Sequence, residues 1–175
     1  MEKKILERII EIPEGIKVTK EGNVFKVIGP NGTVEKKLAY PGINMALNDK
    51  KIIVSTKKSS KKEKRLIGTF ESHIKNIIQG VTVGYIYRLK VCSGHFPMKV
   101  TIEGKQVIIS NFLGEKIPRK ANILDDTKVQ LTGDIITVES SDIEKAGQTA
   151  ANLERATRIT KRDRRVFQDG IYMLR

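Results

Sequence analysis

Two hydrophobic rhythms run along the chain. Short stretches such as Val24, Lys26 and Ile28 alternate and are broken by glycine turns. Elsewhere Leu66, Ile67, Phe70, Ile74, Ile77 and Ile78 recur three and four residues apart. The first period belongs to half-buried strands, the second to an amphipathic helix. Ser60 stands where an N-cap is expected and Gly80 where a stop is expected. A second helical stripe runs through Ile143, Ala146, Ala150 and Leu153, with Ser140 or Ser141 as its cap. Glu21-Gly22-Asn23 and Glu103-Gly104-Lys105 read as tight hairpin turns.

The rhythm repeats. Ile16 to Ala39 laid over Met98 to Ala121 gives seven identities in 24 ungapped positions: Lys17-Val18-Thr19, Glu21-Gly22, Gly32 and Ala39 against their counterparts 82 residues on. Asp49 to Thr56 resembles Gly133 to Ser140, and the segment from Leu66 parallels the one from Lys145. The period is too long for a solenoid, so it predicts two similar domains from one duplication. The expected fold class is α+β: two tandem domains, 1–81 and 82–175, each a small, mostly antiparallel sheet covered by one helix. The link from Val83 to Val91 itself reads as a strand.

Charge narrows the function. Lys and Arg number 33 against 20 Asp and Glu, a net charge of +13. A basic chain with ordinary hydrophobic content is expected to fold and to meet a polyanion. No run of about 18 apolar residues exists, so no membrane partner is expected. The N-terminus carries acids and lacks a small-residue cleavage site, so it is not read as a signal peptide. Cys92 is the only cysteine and fits a reducing, cytoplasmic setting. Aromatics are 5% of the chain and Trp is absent, which favours backbone and shape recognition over base stacking.

The basic residues fall in two places. Lys57, Lys58, Lys61, Lys62, Lys64 and Arg65 crowd the entrance to the first helix, where a helix N-terminus already carries partial positive charge. The second place is the tail, KRDRRVFQDGIYMLR. Lys161, Arg162, Arg164 and Arg165 press against an apolar clasp of Val166, Phe167, Ile171, Tyr172 and Met173, split by Asp169-Gly170. A solvated charge run buries no aromatics. Arginine forks suit fixed phosphate geometry better than lysine point charges do. The expected phosphate contacts are therefore Arg155, Arg158, Lys161, Arg162, Arg164 and Arg165, with Lys116, Arg119 and Lys120 as a second patch. Phe167, Asp169, Gly170 and Tyr172 are expected to clasp the tail to the domain.

Catalytic signals are thin. No GxxxxGK[ST] and no GxGxxG occurs. His73 lies beside the first apolar stripe and reads as a packed residue. Cys92 and His95, three apart, do not close a zinc site. Asp125-Asp126 reads as a loop pair. No metal or other cofactor and no enzymatic activity is expected.

Several runs also resemble a known family. They are Arg162-x-x-Arg165-x-Phe167-x-Asp169-Gly170-Ile171-Tyr172-Met173 preceded by Ile159, Asn111-Phe112-Leu113-Gly114-Glu115-Lys116, His95-Phe96-Pro97, and Gly80-Val81-Thr82-x-Gly84-Tyr85-x-Tyr87. In order and spacing they are similar to the large-subunit ribosomal protein six family, in its archaeal and eukaryotic branch. One departure is Arg155, where the family pattern has Gln. The resemblance implies a cytoplasmic, ribosome-bound protein, monomeric within the particle. Its partners would be large-subunit ribosomal RNA near the stalk base and sarcin–ricin loop, and neighbouring large-subunit proteins. It also implies that the second domain is the main RNA binder. The competing reading from charge alone is a free-standing architectural nucleic-acid-binding protein.

Overall fold

The computed structural model describes residues 6–48, 50–56 and 60–174. Lys57 and Lys58 of the first basic cluster, with Asp49 and Arg175, lie outside the described residues. The chain divides into two compact units, 1–84 and 85–175.

In unit 1 the strands are β1 (Leu6–Glu11), β2 (Lys17–Glu21), β3 (Val24–Gly29), β4 (Gly32–Lys37), β5 (Ile43–Asn48) and β6 (Lys51–Thr56), followed by helix α1 (Lys61–Thr82). They form two three-stranded sheets, ordered β2-β3-β4 and β1-β6-β5. Unit 2 repeats the scheme with β7 (Tyr85–Cys92), β8 (Lys99–Glu103), β9 (Gln106–Ser110), β10 (Arg119–Asn122), β11 (Thr127–Thr132), β12 (Ile135–Ser140) and α2 (Ile143–Ala156). Its sheets are ordered β10-β9-β8 and β11-β12-β7-β13, where β13 (Gly170–Met173) has no counterpart among the described residues of unit 1. Every strand pair is antiparallel. The fold is thus two tandem α+β domains, each dividing its strands between two small sheets.

The hairpin turns fall at Gly22 and Gly104. Each is the first residue of a two-residue loop, with φ of +59° and +58°, a backbone region that costs glycine little. Between β2 and β4 the buried face is Phe25 and Val27, not the Val24, Lys26 and Ile28 set. Both sets alternate, so only the larger buried Phe identifies the inner one.

Helix α1 buries Ile67, Phe70, Ile74, Ile77, Ile78 and Val81 against the sheets, with Leu66 at the margin. Ser60 caps it by accepting from the Lys62 N–H at 3.3 Å and by pairing with Glu63, three residues on. The helix runs past Gly80, which is buried, and stops at Val83. Gly84 follows at φ +83° and donates to the Gln79 carbonyl, so it is the stop that Gly80 was expected to be. The second cap also differs from the sequence reading. Asp142 accepts from the Glu144 N–H at 2.9 Å, while Ser140 supports it by accepting from the Asp142 N–H.

The cores differ. Unit 1 has two buried clusters, one around Phe25, Ile52, Val54 and Ile67, the other of Val27, Val34, Ile77 and Val81. Unit 2 has one continuous cluster reaching from Leu89 and Val107 through Phe112, Val138 and Leu153 to Ile171 of β13.

Candidate nucleic-acid interface

The tail after α2 is an ordered loop pinned at both ends. Thr157, buried at the helix end, uses one hydroxyl twice. It accepts from the Ile171 N–H at 2.9 Å and donates to the Glu154 carbonyl at 3.2 Å. Ile159 is buried beside it. Lys161 then takes φ +61°, a left-handed turn uncommon for a residue with a Cβ. Asp163 starts a single turn, with its carboxylate accepting from the Arg165 N–H and its carbonyl from the Val166 and Phe167 N–H groups. The turn returns the chain to β13, which pairs Gly170 with Cys92 and Met173 with Leu89.

Asp169 is the pin. It is buried, and its two oxygens accept from the Gly94 N–H at 2.8 Å and the His95 N–H at 3.1 Å; the His95 Nδ1 lies 3.1 Å from the first oxygen. Burial alone would push its pKa up. The Gly94 N–H, the His95 ring and the His95 N–H outweigh that and hold the carboxyl below its usual range. Gly94 leaves room for this: a Cβ there would stand 3.2 Å from the carboxylate.

Two contacts to the Phe167 ring extend from the pin. The His95 and Phe167 ring centroids are 4.8 Å apart, and the Arg162 guanidinium lies 4.8 Å from the Phe167 centroid on a cation–π contact. Phe167 is half-buried against the unit 2 core. Of the remaining clasp residues, Ile171 is fully buried, while Val166, Tyr172 and Met173 are exposed. Tyr172 donates its hydroxyl to the Asp169 carbonyl at 3.3 Å. Gly170 is buried, and a Cβ there would meet the Tyr172 ring at 3.0 Å.

The basic residues sort into three groups. Arg155, Arg158, Lys161, Arg164 and Arg165 are exposed, and their side chains meet no partner among the described residues; Arg162 is exposed but leans on Phe167. Lys116 is exposed on the loop that holds Glu115, which is joined through Arg119 to the Ala156 and Arg158 carbonyls, so that loop borders the start of the tail. Arg119 and Lys120 point to opposite faces of β10.

Lys120 is exposed, but Arg119 is occupied within the fold. It grips both Glu115 oxygens at 2.7 and 2.6 Å and donates to the Ala156 and Arg158 carbonyls at 2.9 and 3.0 Å. Its guanidinium also lies 4.3 Å from the Phe112 centroid. Those bonds hold the Glu115 carboxyl below its usual range. A guanidinium committed this way closes the end of α2 rather than offering a free fork, which departs from the phosphate contact expected of it.

The run from Asn111 to Lys116 builds the other side of this bracket. Asn111 and Leu113 hold φ of +59° and +49°, an unusual pair that buries Phe112 and Leu113 together. Asn111 donates to the Pro97 carbonyl at 3.0 Å. In unit 1, Lys62 of the lysine cluster sits 5.5 Å from the Tyr40 ring, and Lys61, Lys64 and Arg65 are exposed.

Sequence reading missed His95, Gly94, Thr157 and Glu115 as parts of this site. His95-Phe96-Pro97 stood out only as a family-like run, and nothing local pairs residue 95 with residue 169. His73 faces the Lys36 amine at 3.1 Å, and Asp125 and Asp126 are loop residues paired with Lys105 and Lys145. No group of three metal-ligating side chains occurs among the described residues, and no described helix is long and apolar enough to cross a membrane.

Fold and site together define a duplicated α+β protein whose second copy carries a pinned, arginine-rich tail. The pattern of the family described as Ribosomal protein L6 matches residues 12–84 and again 96–170. The chain is 47% identical to the large ribosomal subunit protein uL6 of Methanosarcina mazei, covering 98% of this chain and 97% of that one. It is 48% identical to the uL6 of Archaeoglobus fulgidus, covering 97% and 89%. It is 45% identical to that of Methanospirillum hungatei, covering 97% and 96%. The chain belongs to the ribosomal protein L6 family.

Proposed function

We propose that the chain is a structural, non-enzymatic constituent of the large ribosomal subunit that binds large-subunit ribosomal RNA in the cytoplasm. The observation that carries this reading is the tail. Its backbone is fixed by Asp169, Thr157 and Ile171, while Arg158, Arg164 and Arg165 remain exposed and unpaired among the described residues. Ordering arginines before contact lowers the entropic cost of gripping a phosphate backbone. Double-stranded RNA hides its base edges in a deep groove, so recognition rests on backbone and shape.

The phosphate contacts are Arg155, Arg158, Lys161, Arg162, Arg164 and Arg165, with Lys116 and Lys120 beside them. Arg119 acts as a positioning residue. The second domain, 82–175, is the principal RNA binder, and the site lies near the stalk base and sarcin–ricin loop, among neighbouring large-subunit proteins.

The test is Arg162→Ala with Arg165→Ala. Each lost phosphate contact should flatten the slope of log affinity against log salt by about 0.7–0.9. Unchanged affinity and slope would remove the tail from the RNA surface. Salt-resistant co-sedimentation with large subunits separates this reading from a free-standing architectural binder, which would wash off.

A further inference from the structure

The four-stranded sheet of unit 2 has one face packed under α2, and no described helix of unit 2 covers the other. Register assigns the second face. Lys128 stands opposite Glu139, which stands opposite Ile86; Thr137 stands opposite Arg88; Ile135 stands opposite Lys90, which stands opposite Tyr172. The intervening residues, Ile136, Val138, Leu89 and Ile171, are buried in the core. Arg88, Lys90, Lys128 and Ile86 are exposed, as is Tyr172 on the adjoining strand. None of the three cations, nor Glu139, meets a side-chain partner among the described residues.

Unit 1 supplies an internal control. The same face of its β1-β6-β5 sheet carries Glu7, Ile9 and Glu11 on β1 and Lys51, Ile53 and Ser55 on β6. Aligned on the strand each pairs with, Ile9 corresponds to Arg88 and Glu11 to Lys90. One topology thus presents two acids and one base in unit 1, but three bases and one acid in unit 2. The fold tolerates either set, so folding does not require the cations of unit 2. Like charges crowded on one face disfavour folding slightly, and an anionic partner would offset that.

We infer that this sheet face is a second RNA-contact surface, taking a sugar–phosphate backbone on Arg88, Lys90 and Lys128. The inference rests on the RNA-binding reading above. Strand geometry spaces the first two about 7 Å apart along β7 and sets β11 about 10 Å across from them. The face continues into the tail. Tyr172 is bonded to the Asp169 carbonyl. The arginine turn at Asp163 to Phe167 leads within three residues into β13, which pairs with β7, so it adjoins this edge of the sheet. The occupant is RNA rather than a protein strand because the cations project from the face, while the sheet edge on this side is already filled by β13.

The experiment uses the full chain and protein-free large-subunit RNA over a salt series. The sheet variant is Arg88→Ala, Lys90→Ala, Lys128→Ala. A charge-matched control is Lys17→Ala, Lys37→Ala, Lys50→Ala, three exposed lysines of unit 1. Thermal melts confirm that both variants fold. Three lost contacts should flatten the salt slope by about two units or more, with the control changing by less than one. A sheet variant no flatter than the control overturns the inference. If the tail variant is flattened in the same assay, the RNA-binding reading stands without it. If the parent chain shows no salt-dependent binding, both fall together.

Discussion

In unit 1, β1 is an edge strand, with β6 on one side and no strand on the other among the described residues. In unit 2 its counterpart β7 is flanked by β12 and by β13. An open edge exposes unpaired N–H and C=O groups, and unit 1 guards its edge with Glu7, Arg8 and Glu11. Unit 2 fills the edge with four residues from beyond its helix. The same segment that completes the sheet also carries the arginine turn. A duplicated fold can therefore acquire a new surface by adding chain at an edge, without altering the shared elements.

The largest effect should come from removing the core anchor of that added strand. Ile171 is fully buried, and Ile171→Ala should cost about 2–5 kcal/mol. Ile9→Ala, on the exposed face of the open-edged unit, should stay within about 0.5 kcal/mol. Urea denaturation of both variants measures the contrast, and equal losses would break it.

Phe167→Ala should cost less than the roughly 3–5 kcal/mol of a fully buried Phe, because its ring is only half-buried. Its signature is local. Proteolysis should quicken between 158 and 169 and RNA affinity should fall with no charge removed. A tail as protease-resistant as the parent's would contradict the stacking role of His95 and Phe167.

Gly29→Ala probes unit 1 in the same way. A Cβ there would stand 2.8 Å from the Val81 carbonyl oxygen and 2.9 Å from its side chain, where β3 meets α1. Overpacking of this kind costs about 1–3 kcal/mol. Gly68, on the same helix, meets nothing within 4 Å, and Gly68→Ala should stabilise by about 0.5–1 kcal/mol. Chemical denaturation should give opposite signs for the two.

The smallest effect is acid dependence. The folded-state pKa of Asp169 is depressed. Its contribution is therefore fully present above the unfolded value of about 3.9 and is lost as pH falls through the lower folded value. The stability gap between the parent and Asp169→Asn should shrink as pH falls from about 5 towards 2. A gap that stays constant would mean that the carboxylate charge contributes nothing.

Much of the scaffold was legible because its signals are local. Gly22 and Gly104 sit in two-residue loops, and the stripe from Leu66 to Ile78 fixes the buried side of α1. Gly80 misled because a glycine pressed inside a core and a glycine ending a helix look alike in sequence; the difference is burial in one case and a positive φ at Gly84 in the other. Ser140 and Ser141 misled because three cap-competent residues stand in a row with Asp142, and only the turn geometry selects among them. Arg119 could not be told from its exposed neighbours, since its partners Ala156 and Arg158 are backbone carbonyls nearly forty residues away. Asp169 was expected among the clasp residues, but its partners could not be read, since Gly94 and His95 reach it only through the tertiary fold.

The pairing of β13 with β7 joins residues about eighty positions apart in sequence. Closing so long a loop costs entropy before any contact repays it, so we expect the local hairpins and α2 to form early and this strand to dock late. Contacts made after the transition state barely alter the folding rate and mainly govern how fast the native state is lost. The arginine turn is therefore secured kinetically. On that order its lifetime would follow the rate at which β13 and its buried Ile171 leave the unit 2 core.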